Sequence, residues 1–182
     1  MAAASETHLT LQSRLAGVRL LLLDVDGVLT TGGITWTHDG SEQKTFNIRD
    51  GLGIKLWQQA GGLVGIITGR SSAVVQIRAR ELSIDTVRQG VVDKLQAASE
   101  ILAEQKISWE QTAFIGDDLP DLSIVQRCGL GVAVADACSE LLAAARLVTR
   151  LPGGRGAVRE VIEQMLSARG SWQPIVGRYS AV

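Results

Sequence analysis

Large aromatic side chains are scarce: the 182 residues hold two Phe, one Tyr and four Trp, 4% in all. Few large rings together with 20 glycines, about 11% against a usual ~7%, imply a chain that turns often and joins its elements with short connections. Cysteine is nearly absent. Cys128 and Cys138 fit no metal-ligand spacing, and two thiols in a chain of this size read as reduced intracellular residues rather than a disulfide scaffold. A dominant charge is also missing. Lys and Arg total 18 against 19 Asp and Glu, net −1, which leaves no global field for gripping nucleic acid. No segment approaches the ~20 apolar residues that a membrane-spanning helix needs. Residues 1–9 lack the basic region and apolar core of a signal peptide, so a cytoplasmic location is expected. What is present, 46% hydrophobic and 20% charged residues, is too apolar and too neutral for intrinsic disorder. The length suits one domain over residues 1–182. Residues 1–15 read as a loose arm or short surface helix, and residues 171–182 as a tail with no clear period.

The first strong local signal is the run Val18-Arg19-Leu20-Leu21-Leu22-Leu23-Asp24-Val25, which reads as a strand buried on both faces. A β-hairpin insertion over residues 33–48 is expected next, with Asp39-Gly40 at its turn. Helical spacing runs through residues 50–60 and stops at Gly61-Gly62. Further strands are predicted at 63–67, 85–87, 112–115, 131–134 and 147–148. Helices are predicted at 71–82, 93–105, 119–127, 139–144 and 155–168. Strands alternating with helices imply parallel β-α-β units, and so a Rossmann-like α/β fold: a doubly wound parallel sheet with an inserted hairpin after the first strand.

In such sheets, sites form at the carboxyl ends of the strands. The first strand ends in Asp24-Val25-Asp26-Gly27, the second in Thr68-Gly69-Arg70, and the strand at 112–115 in Gly116-Asp117-Asp118-Leu119-Pro120-Asp121; Lys94 opens the helix after Asp93. Each cluster alone could be a turn or a helix cap. Together they put several carboxylates on one rim, an arrangement that like-charge repulsion disfavours unless a cation lies among them. Oxygen ligands without clustered His or Cys point to Mg²⁺ rather than zinc.

The chemistry of that set is phosphoryl transfer. An aspartate beside Mg²⁺ can attack phosphorus and form an aspartyl-phosphate. Lys94, the Thr68 hydroxyl and backbone N–H groups near Gly27 can neutralise the phosphoryl oxygens. Asp26, on the same side of an extended strand as Asp24, can protonate the leaving alkoxide and later take a proton from water. Asp117 supplies a metal ligand, while Asp118 and Asp121 hold metal waters and orient Lys94.

Asp24-Val25-Asp26-Gly27-Val28-Leu29-Thr30, Thr68-Gly69-Arg70, Lys94 and Gly116-Asp117-Asp118-x-x-Asp121 resemble, in order and spacing, the four motifs of the haloacid dehalogenase superfamily of phosphatases. The resemblance implies that Asp24 is the nucleophile and Asp26 the acid/base, and that Mg²⁺ binds the Asp24 carboxylate, the Asp26 backbone carbonyl and Asp117. Over about residues 18–172 the chain is similar to the 3-deoxy-D-manno-octulosonate 8-phosphate phosphatase family. The segments carrying this likeness are Gly33-Ile34, Gly40-x-Glu42-x-Lys44-x-Phe46-Asn47-x-Arg49-Asp50-Gly51, Val132 through Ala137, and Gly153 through Glu160.

That likeness implies a phosphatase acting in lipopolysaccharide precursor synthesis. Its substrate site would be lined by Asp26, Asn47, Ile48, Arg49, Asp50, Gly51, Lys55, Arg70, Arg78 and Lys94. It also implies a homotetramer whose neighbouring subunits complete one another's sites, with no nucleic acid or membrane partner. Lys55 stands where the family often has Arg, which loses a bidentate grip on carboxylate. Cys138-Ser139 replaces a common His-Pro pair. Close relatives acting on nine-carbon sialic-acid-type 9-phosphates share most of these segments. Two readings from other classes stand beside the enzyme. A signalling receiver domain also has a phospho-acceptor Asp, but carries its acidic pair after the first strand and the acceptor after a later strand, and has no use for the hairpin. A non-catalytic assembly module would not be expected to keep Asp24, Asp26, Lys94 and Asp117.

Overall fold

The computed structural model describes residues 10–180, and all statements of structure refer to these. In chain order the elements are α1 (Leu11–Gly17), β1 (Leu20–Leu23), β2 (Thr35–Trp36), β3 (Glu42–Gln43), α2 (Ile48–Gln59), β4 (Leu63–Ile67), α3 (Ala73–Glu81), β5 (Thr86–Arg88), α4 (Lys94–Gln105), β6 (Thr112–Gly116), α5 (Leu122–Arg127), β7 (Leu130–Ala133), α6 (Ser139–Ala144), β8 (Leu147–Val148), α7 (Ala157–Ala168) and α8 (Trp172–Ser180). Six strands form one parallel sheet in the order β5-β4-β1-β6-β7-β8, and β2 and β3 pair separately as an antiparallel hairpin.

The four leucines of β1 explain why this strand is central. Leu21 and Leu23 join the core with α1, α2, α3 and α7, whereas Leu20 and Leu22 join the core with α4, α5 and α6. Alternate side chains of a strand point to opposite faces, so an uninterrupted apolar run suits only a strand covered on both sides. β1 pairs with β4 on one side and β6 on the other. The chain winds outward from β1 in both directions, which makes the carboxyl end of β1 the topological switch point where open α/β sheets bind ligands.

Local differences from the sequence expectations have physical causes. The hairpin ladder is only two residues per strand, because the segment after Gln43 leaves it to send Lys44 toward Asp26. The helix expected from residue 50 starts at Ile48, since the Asn47 side chain accepts the Arg49 N–H at 2.8 Å and caps it there. The helix expected over 119–127 is split into a 3₁₀ turn at Leu119–Asp121, containing Pro120, and α5. The tail is helical through Ser180: Arg159 stacks over the Trp172 ring at 5.1 Å and Ile175 is buried, contacts that no local pattern contains. Thr10 caps α1, so residues 11–15 of the arm belong to a helix; residues 1–9 and 181–182 lie outside the described residues. No helix among the described residues is long and apolar enough to cross a membrane.

Candidate active site

Asp24 directly follows β1, Thr68 follows β4, and Asp117 follows β6. Parallel pairing of these three strands brings the residues to one edge. They line a cleft of about 270 Å³ with Asp26, Gly69, Arg70, Val91, Val92, Lys94, Asp118, Pro120 and Asp121. The turn after Asp24 is tight: the Val25 carbonyl accepts the N–H groups of Val28, Leu29 and Thr30 at 3.2, 2.9 and 3.0 Å. Gly27 within it has φ +93°, and a Cβ there would sit 1.9 Å from Asp117 Oδ2. Glycine is therefore needed both for the backbone conformation and for the close approach of Asp117. The Gly153 loop braces the same turn from behind, where a Cβ would lie 1.6 Å from the Gly27 carbonyl oxygen.

Lys94, the first residue of α4, is buried and donates to Asp24 Oδ1 at 2.8 Å and Asp121 Oδ1 at 2.6 Å. Asp121 Oδ2 accepts the Asp117 backbone N–H at 3.0 Å, so both Asp121 oxygens are engaged inside the protein. Asp24, Asp117 and Asp121 each place a carboxylate oxygen within 4.8 Å of the others. One ammonium cannot balance three carboxylates there. Burial, with the Asp121 charge beside it, pushes Asp24 up to about 6 despite the nearby Lys94. Burial, together with Asp24 and Asp121, pushes Asp117 up to about 7. Lys94 is driven upward: burial opposes its charge, but the Asp24 and Asp121 carboxylates outweigh that. Carboxylates destabilised as anions, with only oxygen donors and no His or Cys among them, fit a hard divalent cation such as Mg²⁺.

Asp26 belongs to a second charged group. Lys44, with a side chain only 1% exposed, pairs with Asp26 Oδ1 and lies 3.5 Å from Glu42 Oε1. Arg70 Nη2 donates to Glu42 Oε1 at 3.1 Å, and Arg70 Nε stands 3.8 Å from Asp26 Oδ2. The Ser72 hydroxyl foremost, with the Arg70 and Lys44 charges, holds Glu42 below the usual carboxylate range. Lys44 and Glu42 received no role from the sequence. Their i, i+2 spacing in the second arm of the hairpin was the available signal, since alternate residues face one side.

The remaining expected residues are dispersed. Asp118 is at the rim, but its Oδ1 accepts the Leu119 N–H at 2.8 Å as a cap. Asn47 caps α2 and Ile48 is 78% exposed. Gly51 faces Arg78, whose guanidinium pairs with Glu81 at 3.0 Å and lies 5.7 Å from the Phe46 ring centre, at the foot of the hairpin. Arg49 lines a different depression, between α2 and α7, with Arg150 and Arg159. Asp50 is buried and accepts the Gly156 and Arg159 N–H groups at 3.2 and 2.8 Å, so within this chain it caps α7 and does not face the cleft. Burial pushes its carboxyl up, and those N–H groups hold it back. Lys55 donates to Ser83 Oγ at 2.9 Å and shares a cavity with Leu20, Leu63 and Thr86, the first residues of β1, β4 and β5. It is therefore at the opposite edge of the sheet from Asp24.

Comparison with known proteins agrees with this geometry. Residues 77–162 match the model of the haloacid dehalogenase-like hydrolases. The 3-deoxy-D-manno-octulosonate 8-phosphate phosphatase of Yersinia pestis is 46% identical over 164 residues, covering 90% of this chain and 88% of its own. The crystal structure of the phosphatase of the same name from Moraxella catarrhalis, in complex with magnesium ion, phosphate ion and a KDO molecule, is similar with a TM-score of 0.91. It is 39% identical, with 93% of this chain and 97% of that chain covered. The cobalt-bound form of the deoxy-D-mannose-octulosonate 8-phosphate phosphatase of Haemophilus influenzae gives a TM-score of 0.85 at 36% identity, covering 87% and 93%.

Proposed function

Because this chain belongs to the 3-deoxy-D-manno-octulosonate 8-phosphate phosphatase family of the haloacid dehalogenase superfamily, it is a Mg²⁺-dependent phosphatase of that sugar acid phosphate, and we propose that Asp24 is the residue that takes the phosphoryl group. The observation that carries the assignment is the position of Asp24: at the switch point of the sheet, in the cleft wall, with one oxygen held by Lys94 at 2.8 Å. Family membership does not favour the nine-carbon, receiver or assembly-module readings.

The Asp24 carboxylate attacks phosphorus, and the bond from phosphorus to the sugar oxygen breaks. Asp26 gives its proton to the departing alkoxide, leaving the free sugar acid and an aspartyl-phosphate. Water then attacks that phosphorus, Asp26 takes a proton back, and phosphate leaves as the Asp24 carboxylate is restored. Lys94 and the Thr68 hydroxyl line the same cleft and would neutralise the phosphoryl oxygens. Asp24, Asp117 and the Asp26 backbone carbonyl would hold Mg²⁺, which supplies charge neutralisation for the phosphoryl group when bound. Asp121 acts on this set through Lys94 and the Asp117 N–H rather than as a free ligand. Arg70 at the cleft mouth would meet the substrate carboxylate or hydroxyls.

No residue of the hairpin, whose strands are two residues each, lines the cleft of about 270 Å³, so the hairpin of this chain alone does not enclose a sugar acid there. Trp36, Ile34 and Ile48 are 59%, 54% and 78% exposed on the hairpin and at its foot. We propose that a neighbouring subunit covers this region in a cytoplasmic homotetramer. Two measurements test the assignments. Asp24→Asn should abolish phosphate release and leave no acid-stable, hydroxylamine-labile phosphoprotein; retained release refutes the nucleophile. Sedimentation under assay conditions should give a tetramer, and a fully active monomer refutes the shared site.

A further inference from the structure

Lys44 is a lysine on a short surface hairpin, yet its side chain is buried to 1% exposure. Burying an ammonium is costly unless carboxylates surround it. Here two do, Asp26 and Glu42. With Arg70 they close a ring of alternating charge: Asp26 to Lys44, Lys44 to Glu42, Glu42 to Arg70, and Arg70 back to Asp26. The two Asp26 oxygens fare differently in that ring. Oδ1 accepts from Lys44, whereas Oδ2 accepts no hydrogen bond from the described residues, Arg70 Nε standing 3.8 Å from it. That Nε is itself buried and makes no hydrogen bond.

We infer that Lys44 is a positioning residue for proton transfer: by holding Oδ1 of Asp26 it fixes the carboxyl so that Oδ2 carries the proton to the leaving oxygen. The inference rests on Asp26 being the acid of the proposed mechanism. Lys44 itself neither gains nor loses a proton. The proton moves from Asp26 Oδ2 to the sugar alkoxide as the phosphorus–oxygen bond breaks. Hairpin and catalysis are joined through this pair, because Lys44 comes from the hairpin arm and Asp26 from the turn after β1.

The test compares leaving groups. An alkoxide departs poorly without a proton, whereas p-nitrophenolate needs none, so loss of a placed acid shows on alkyl but not on aryl esters. The parameter kcat/KM, which covers the steps through leaving-group departure, is measured for 3-deoxy-D-manno-octulosonate 8-phosphate and for p-nitrophenyl phosphate. Asp26→Asn serves as the reference and should lose ~100-fold or more on the sugar phosphate and less than about 3-fold on the aryl ester. Lys44→Met should show the same discrimination at about 10-fold or more on the sugar phosphate, and Lys44→Arg should recover most of it. Equal losses of Lys44→Met on both substrates would mean that the ring only anchors the hairpin, and would overturn the inference; no loss on either does the same. If Asp26→Asn itself fails to discriminate, the acid assignment falls and the Lys44 role with it. Should Lys44→Met melt early through its unpaired Glu42, Glu42→Gln/Lys44→Met removes that charge and must still discriminate between the substrates.

Discussion

Removing Mg²⁺ should make the stability of this protein fall as the pH rises from about 4 to about 7. Two carboxyls drive the effect. Burial first, then Asp121, raises Asp24 to about 6, and burial first, then Asp24 and Asp121, raises Asp117 to about 7. In the unfolded chain both titrate near ~3.9. Between those values the folded state holds protons that the unfolded state has released. The stabilisation is therefore complete below about pH 4 and is lost as the pH passes the folded values. Two units on Asp24 correspond to about 3 kcal/mol. Asp117 is only partly buried, and water screening reduces its larger shift to about 1–2 kcal/mol. A loss near 4 kcal/mol in a chain of this length lowers the melting temperature by ~10 °C. Carboxyls held low, such as Glu42 and Asp39, act in the opposite sense but only below about pH 4.5. Asp50, raised by burial, adds a slope that metal does not touch. The assay is a set of thermal melts from about pH 5 to about pH 8, with chelator or with excess Mg²⁺. Cation binding favours the ionised carboxylates, so the gap between the two series should widen with pH. Asp117→Asn should lessen both the slope and the gap. A gap constant with pH, or a metal-free melting temperature that rises across this range, would refute the electrostatic account.

Gly27→Ala should cost about 1–2 kcal/mol for the left-handed backbone. Its Cβ, 1.9 Å from Asp117 Oδ2, should displace that carboxylate and lower kcat/KM ~100-fold with the circular dichroism unchanged; unimpaired turnover would show that the Asp117 position does not matter. Asp50→Ala leaves two N–H groups at the start of α7 unsatisfied, one buried and one part-buried, and urea unfolding should report a loss of about 1–3 kcal/mol. Lys55→Ala, at the far edge of the sheet, should keep kcat/KM for the sugar phosphate within about 3-fold; a larger fall would return Lys55 to the substrate site.

The fold was legible because its signals are local. An unbroken leucine run marks the central strand, and Gly and Asp at the ends of apolar runs mark the rim. The convergence of Asp24, Thr68 and Asp117 comes from topology: once β1, β4 and β6 are parallel neighbours, the residues just beyond their carboxyl ends meet at one edge, where Lys94 joins from the start of α4 and Asp121 from the 3₁₀ turn. The 3₁₀ turn before α5 and the start of α2 at Ile48 shift boundaries by a few residues, because caps and Pro120 settle ends that hydrophobic period does not.

The residues that did not go where the sequence suggested share one cause: a polar side chain's partner is chosen by tertiary approach. Asp50 and Lys44 lie six positions apart on either side of the helix start; the family resemblance puts Asp50 at the substrate site and gives Lys44 no role. Their fates are exchanged by which element each one meets. α7 packs across α2 so closely that the Asp50 carboxylate reaches the Gly156 and Arg159 N–H groups, which consumes it in a cap. The hairpin arm folds back over the turn after β1, so Lys44 meets Asp26. A buried charge must find its complement wherever the fold supplies one. Position along the chain therefore identifies which residues are charged near the rim, and the crossing of α7 and the hairpin decides which of them remain for chemistry.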